Sequence, residues 1–150
     1  MNLEIVKKDL FTVPQGYYLA HCISNDFSLG AGIAKQFVEH YNMKFKLQEI
    51  YRCGDNYDKI SDIGEFVGDA LLVDNVFNLV TKERGFHKPT YDNLRAAIMS
   101  MKNIMKDLSV TKLAMPKIAC GLDCCNWNKV EEIIYDVFED TDVEILVCEI

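Results

Sequence analysis

The sequence lacks several features, and each absence narrows the reading. No apolar run approaches the roughly 18 residues that a membrane helix needs, so no membrane association is expected. The first residues, "MNLEIVKKDL", lack the charged-then-apolar pattern of a leader peptide, and a cytoplasmic location is expected. No block of five Lys or Arg occurs, and the net charge is −7 with a pI near 4.9. A stripe that tracks a nucleic-acid backbone depends on clustered cations, so extended nucleic-acid binding is disfavoured. A small anionic ligand stays open, because backbone N–H groups can hold one locally. No repeat, linker or low-complexity segment divides the 150 residues. They read as one domain, 1–150, expected to be a monomer and large enough for one sizeable core.

Six cysteines are present: Cys22, Cys53, Cys120, Cys124, Cys125 and Cys148. Without a leader, a disulfide framework is not expected. Cys120, Cys124 and Cys125 lie close in sequence, yet no second pair or nearby histidine completes a tetrahedral zinc set. They read as small apolar residues, with no metal or cofactor expected.

The apolar pattern alternates between strands and helices. "LEIVKK" (3–8) reads as a first strand and "YYLAHCIS" (17–24) as a buried one. Ile33, Phe37 and Tyr41 repeat at helical spacing, and a second helical piece runs to about Tyr51. "RCGDNYDKISDIG" (52–64) is rich in turn residues. "EFVGDALLVD" (65–74) and "NVFNLVT" (75–81) read as strands. Thr90 is a candidate N-cap for a helix whose apolar face carries Leu94, Ala97, Ile98, Met101, Met105 and Leu108. "KLAMPKI" (112–118) is a strand that should end near Pro116, which cannot donate to a ladder. Val130, Ile133, Ile134, Val137 and Phe138 mark a final helix, with Asn128 and Glu131 as a candidate capping box. "VEILVCEI" (143–150) closes the chain as a strand. The alternation implies an α/β layered fold with much parallel pairing, in which ligands sit at the carboxyl ends of strands.

That rule directs attention to the loops after the strands. Gly30 and Gly32 precede a helix start, where N–H groups and the positive dipole end can face an anion. The spacing is not the dinucleotide fingerprint, whose third glycine position holds Lys35 here. Two glycines alone are more often an ordinary tight turn. Lys82 follows the apolar run "VFNLV" and is a candidate amine nucleophile toward a sugar carbon. Read alone, it is more simply a solvated lysine, and Arg84, His87 and Lys88 compete for any cationic role. Asp123 in "CGLD" is a candidate general base, or a plain helix cap, with Gly121 read as permitting a tight turn. Thiol catalysis by Cys22 with His21 or His87 has no supporting signature.

Together these loops resemble those of a macrodomain, a three-layer α/β/α module with a central mixed, largely parallel sheet. The stretches that carry the resemblance are "DLF" (9–11), "LAHCIS" (19–24), "GAGIA" (30–34), "TKERGFHKPTYDNL" (81–94), "MPKIACGLD" (115–123) and "VFEDTD" (137–142). They span nearly the whole chain. "HKPTY" and "CGLD" point to the terminal ADP-ribose protein glycohydrolase (O-acyl-ADP-ribose deacylase) branch.

The resemblance implies ADP-ribose along the carboxyl edge of the sheet. Asp9, beside Leu10, matches the acid that bonds adenine, and Ile150 matches an apolar position near the adenosine. Ser28, Leu29, Gly30, Ala31, Gly32 and Ile33, with Pro116, Lys117, Ile118, Ala119, Cys120, Gly121 and Leu122, would embrace the pyrophosphate and distal ribose. His21 and Thr81 complete the implied contacts. Lys82, Asp123 and Ser24 match the polar positions of the branch's active site, where a lysine attacks the anomeric carbon and an aspartate resolves the adduct. The implied partners are ADP-ribosylated proteins and O-acyl-ADP-ribose. The alternatives are a non-catalytic ADP-ribose reader, an ADP-ribose 1″-phosphate phosphatase, or an enzyme acting on ADP-ribosylated nucleic-acid ends. Two positions depart from the family pattern: Lys8 and Ala119 each stand where glycine is usual.

Overall fold

In the computed structural model, residues 1–52 and 65–150 are described; the turn-rich reading of 52–64 lies outside them except for Arg52, as does Cys53. Among the described residues, six strands form one sheet in the order β1-β6-β5-β2-β4-β3. They are β1 (Asn2–Lys7), β2 (Tyr18–Ser24), β3 (Ala70–Val73), β4 (Val76–Lys82), β5 (Lys112–Met115) and β6 (Glu144–Glu149). All neighbours pair in parallel except β3, which runs antiparallel to β4 at one edge. The helices are α1 (Gly32–Tyr41), α2 (Met43–Tyr51), α3 (Tyr91–Asp107) and α4 (Trp127–Phe138). None of the described helices is long and apolar enough to cross a membrane.

The two-residue period of the strands divides the apolar residues between two cores. On β2, Leu19 and Ile23 face the α1–α2 side with Phe37, Met43 and Leu47. Ala20 and Cys22 face the α3–α4 side with Leu94, Ile98 and Ile134. The result is the expected three-layer α/β/α arrangement. β5 ends at Met115, so Pro116 stands just outside the ladder.

Local signals set most element ends. The Thr90 side chain accepts from the Asn93 N–H at 3.1 Å and caps α3, and Asp92 sits in the first turn. Leu108, expected on the apolar face, lies past the end of α3 and is exposed. The cap of α4 is Asn126 rather than Asn128. Asn126 is extended, and its side chain accepts from the Asn128 N–H at 2.9 Å. Asn128 therefore lies inside the first turn, and Glu131 is too far along for a capping box. The strand expected over 65–74 is shorter: 65–68 form a turn in which Gly68 has φ +90°, and pairing begins at Ala70.

Candidate active site

Because five neighbouring strands run in parallel, their carboxyl ends share one edge. In sheet order that edge carries Asp9, Ile150, the 116–123 loop, the 24–32 loop and Lys82. Four inter-strand spacings separate its ends, roughly 19 Å. An elongated ligand fits such a row better than a compact one. The Asp9 and Ile150 strands are tied at this edge by the Lys8 N–H, which donates to Glu149 O at 2.9 Å.

A cavity of about 780 Å³ opens over the middle and far end of the row. It is lined by Ser24, by Ser28, Leu29, Gly30, Ala31, Gly32 and Ile33, by Lys82, by Pro116, Lys117, Ile118 and Ala119, and by Gly121, Leu122 and Asp123. Six expected contacts lie elsewhere. His21 is fully buried, bonded to Asn78 at 2.6 Å and stacked on Phe37. Burial lowers its pKa to about 4 against the opposing bond from Asn78, so it is neutral near pH 7. Thr81 is buried. Asp9 accepts from the Phe11 N–H at 3.0 Å, and Leu10 lines a separate cavity of about 280 Å³. Cys120 packs against the core, and Ile150 is 99% exposed. The cavity wall also includes Cys22, Ile23 and Ala34, and Gly85, Phe86, His87 and Lys88 from the loop after β4. The cationic loop "KERGFHKP" marked that last group in the sequence; nothing in the sequence set Gly85 apart.

The α1 end of the cavity is built from backbone. Ala31, at the N-cap, is extended and makes no side-chain cap bond, so the first-turn N–H groups of α1 have no capping side chain. Gly32 has φ +61°, a left-handed conformation that disfavours any Cβ. A Cβ there would also lie 3.3 Å from the Leu122 side chain, which reaches across from the opposite loop. Gly121 opens the tight turn expected there, with the Cys124 N–H donating to Gly121 O at 3.1 Å, but its own φ is not positive, and a Cβ on it would meet nothing within 4 Å. The left-handed residues of that loop are Ala119, with φ +60°, and Cys124, with φ +61°. The glycine that the macrodomain resemblance implies at position 119 would take this conformation freely, whereas Ala119 holds it with a strained Cβ.

The far end is built from side chains. The β2–β4 register runs Ile23↔Val80 and then Ser24↔Lys82, an irregularity of one extra residue in β4. Such a bulge re-aims the following side chain and brings Lys82 opposite Ser24. Lys82 Nζ donates to Asp123 Oδ1 at 2.7 Å, with the two side chains only 13% and 16% exposed. Lys88 Nζ donates to Leu122 O at 2.7 Å and ties the two flanking loops together. Cys22 lies nearby, but its thiol is pushed well above its ordinary range, first by desolvation and then by the Asp123 charge and neighbouring thiols. It is a thiol near neutral pH, which disfavours it as a nucleophile.

Two layers of helix on a mostly parallel sheet, with the site at its carboxyl edge, define the α/β class of ligand-binding modules. Within that class the chain belongs to the Macro domain family, whose profile matches residues 20–134. It is 41% identical to the bovine "ADP-ribose glycohydrolase OARD1" and 39% identical to the human protein of that name, over 97% of this chain and 90% of each relative. Its fold is similar to the macrodomain of Thermus aquaticus DarG, with a TM-score of 0.78, 21% identity, and coverage of 99% of this chain and 98% of that one. It is also similar to Thermosipho africanus DarTG in complex with ADP-ribose, with a TM-score of 0.76, 15% identity, and coverage of 98% of this chain and 41% of that one.

Proposed function

We propose that this chain is a hydrolase that removes ADP-ribose from glutamate and aspartate esters on proteins and deacylates O-acyl-ADP-ribose. The observation that carries the reading is the Lys82–Asp123 pair, in contact at 2.7 Å on the wall of the cavity. A module that only binds needs the backbone cradle but not a shielded amine–carboxylate pair beside it. The names of the 39–41% identical relatives support the same chemistry.

The ligand lies along the sheet edge, with adenosine toward Asp9 and Ile150 and the pyrophosphate over the first turn of α1. Gly30 and Gly121 then have a reason. The protein itself leaves the space of a Cβ nearly or wholly open at both, and a close-lying ligand would fill it. The distal ribose reaches Ser24, Lys82 and Asp123.

A protonated amine cannot attack, so Lys82 first passes a proton to Asp123 along their existing hydrogen bond. The amine then bonds to the anomeric carbon of the distal ribose. The ester C–O bond breaks, its electron pair leaves with the carboxylate, and Asp123 protonates that leaving group. Asp123, again anionic, draws a proton from a water that attacks the same carbon. The C–N bond breaks back onto the amine, ADP-ribose leaves, and the proton returns to Lys82. O-acyl-ADP-ribose carries its ester on the same sugar and presents it to the same pair.

The test is release of ADP-ribose from glutamate-modified protein. Wild type is expected to release it and Lys82→Ala to fail. Equal rates for the two would overturn the lysine mechanism. Tight ADP-ribose binding by wild type with no cleavage of any ester would instead make the protein a reader.

A further inference from the structure

The Lys82–Asp123 pair does not use Asp26, which lies outside the cavity wall yet binds both loops that flank it. Its Oδ1 accepts from Ser24 Oγ at 2.5 Å and from the Ser28 N–H at 3.2 Å, and its Oδ2 accepts from the Gly85 N–H at 3.1 Å. Ser24 Oγ and Ser28 Oγ are 3.2 Å apart. Gly85 is pressed so closely against this group that a Cβ on it would sit 2.7 Å from Ser28 Oγ. One carboxylate therefore clasps the turn leading into α1 to the loop after β4, which it holds at Gly85, three residues beyond Lys82. Desolvation pulls the Asp26 carboxyl up, but the bonds from Ser24, Gly85 and Ser28 prevail and hold it below the usual carboxylate range.

The direction of the Ser24 bond has a chemical consequence. An ionised carboxylate only accepts, so Ser24 must donate its single hydroxyl proton to Asp26. Only oxygen lone pairs then remain for anything in the cavity. We infer that Asp26 is a positioning residue that fixes Ser24 as a hydrogen-bond acceptor, so that the site selects a ligand presenting a hydroxyl donor at this point. This rests on the ADP-ribose reading, in which the donor is a hydroxyl of the distal ribose. It also assigns the Asp26–Gly85 bond the task of keeping the α1 turn in register with the strand end that bears Lys82.

The experiment is calorimetry with ADP-ribose and with its deoxy analogues at each hydroxyl of the distal ribose, on wild type, Ser24→Ala and Asp26→Asn. Asparagine keeps the size but is neutral and offers one accepting oxygen to donors on both arms, so the clasp is weakened at both ends and Ser24 is no longer obliged to donate. Wild type is expected to bind one deoxy analogue about tenfold more weakly than ADP-ribose, the effect of leaving a buried polar group unpaired. Ser24→Ala and Asp26→Asn are expected to bind ADP-ribose more weakly and to lose that discrimination. An Asp26→Asn protein that melts lower but discriminates as wild type does would reduce Asp26 to a structural role and overturn the inference. Should Asp26→Asn fail to fold, Gly85→Ala breaks the clasp from the other loop and is expected to lose discrimination likewise; full discrimination there overturns the inference equally. Hydrogen exchange at the Gly85 N–H, read without ligand, separates this inference from the ADP-ribose reading. Faster exchange in Asp26→Asn supports the clasp even if ADP-ribose does not bind, and unchanged exchange contradicts it.

Discussion

The two ends of the cavity are made of different material. The α1 end is backbone: uncapped N–H groups, a left-handed Gly32 and a Gly30 whose missing side chain leaves open space. The β4 end is side chain: an amine and a carboxylate in contact, aimed by a one-residue bulge. Backbone donors survive most substitutions that add no bulk, whereas a reacting pair fails when either member is removed. The first end should therefore govern affinity and the second turnover.

Substitutions of the pair should have the largest effect. Lys82→Ala and Asp123→Ala are each expected to lower kcat by roughly 10²–10⁴-fold, the range for positioned proton transfer, with a much smaller change in ADP-ribose Kd. Single-turnover kinetics beside calorimetry checks the split. An equal loss in both quantities would erase the distinction between the two ends.

His21, buried beneath the cradle against Phe37 of α1, tests stability apart from either end. Its pKa is about 4 in the folded state and near 6.5 when unfolded. Near pH 7 both states are neutral there. As pH falls from about 6.5 to about 4, the unfolded chain takes up the proton and the folded one does not. Stability present above pH 6.5 is thus lost toward pH 4, by on the order of 3 kcal/mol. Urea unfolding across that range should show the slope, and His21→Phe should flatten it.

Gly32→Val places a β-branched residue at φ +61° and crowds Leu122. The strained conformation costs about 1–2 kcal/mol. Kd for ADP-ribose should rise about tenfold, with kcat at saturation changed far less. A kcat loss matching that of Lys82→Ala would contradict the division. The smallest effect belongs to Ala119→Gly, which removes a Cβ from a residue at φ +60°. Relief of strain of about 1 kcal/mol is partly offset by the flexibility glycine adds to the unfolded chain. Thermal unfolding should show no loss of stability, and Kd should hold or improve.

Much of this was legible in the sequence, for identifiable reasons. Helical spacing from Leu94 to Met105 and the stop at Pro116 follow from local rules, and the structure obeys them. Lys82 and Asp123 lie 41 residues apart, and no pattern of spacing joins them; resemblance to a family did. The bulge that turns Lys82 toward Ser24 depends on pairing between two strands, so neither strand alone shows it. His21 sits within an apolar run and is implied as a contact by the resemblance; its register partner Asn78, to which it bonds, holds it in the core instead. No sequence pattern marks Asp26, because its bonds form only when Gly85 folds back against Ser28. Two asparagines stand two residues apart at the start of α4, and only the extended backbone of Asn126 selects it over Asn128 as the cap.

The central claim is that the Lys82 amine forms the bond to the sugar, and one measurement addresses it directly. Asp123→Ala protein is incubated with ADP-ribose in alkaline buffer, whose base takes the amine proton in place of Asp123 while the later hydrolysis still lacks its carboxylate; it is then digested, and the peptide containing Lys82 is weighed by mass spectrometry. The account predicts an added mass of one ADP-ribose less one water, located on Lys82 and missing from the Lys82→Ala, Asp123→Ala double variant. An unmodified Lys82 in protein that demonstrably binds ADP-ribose would contradict it.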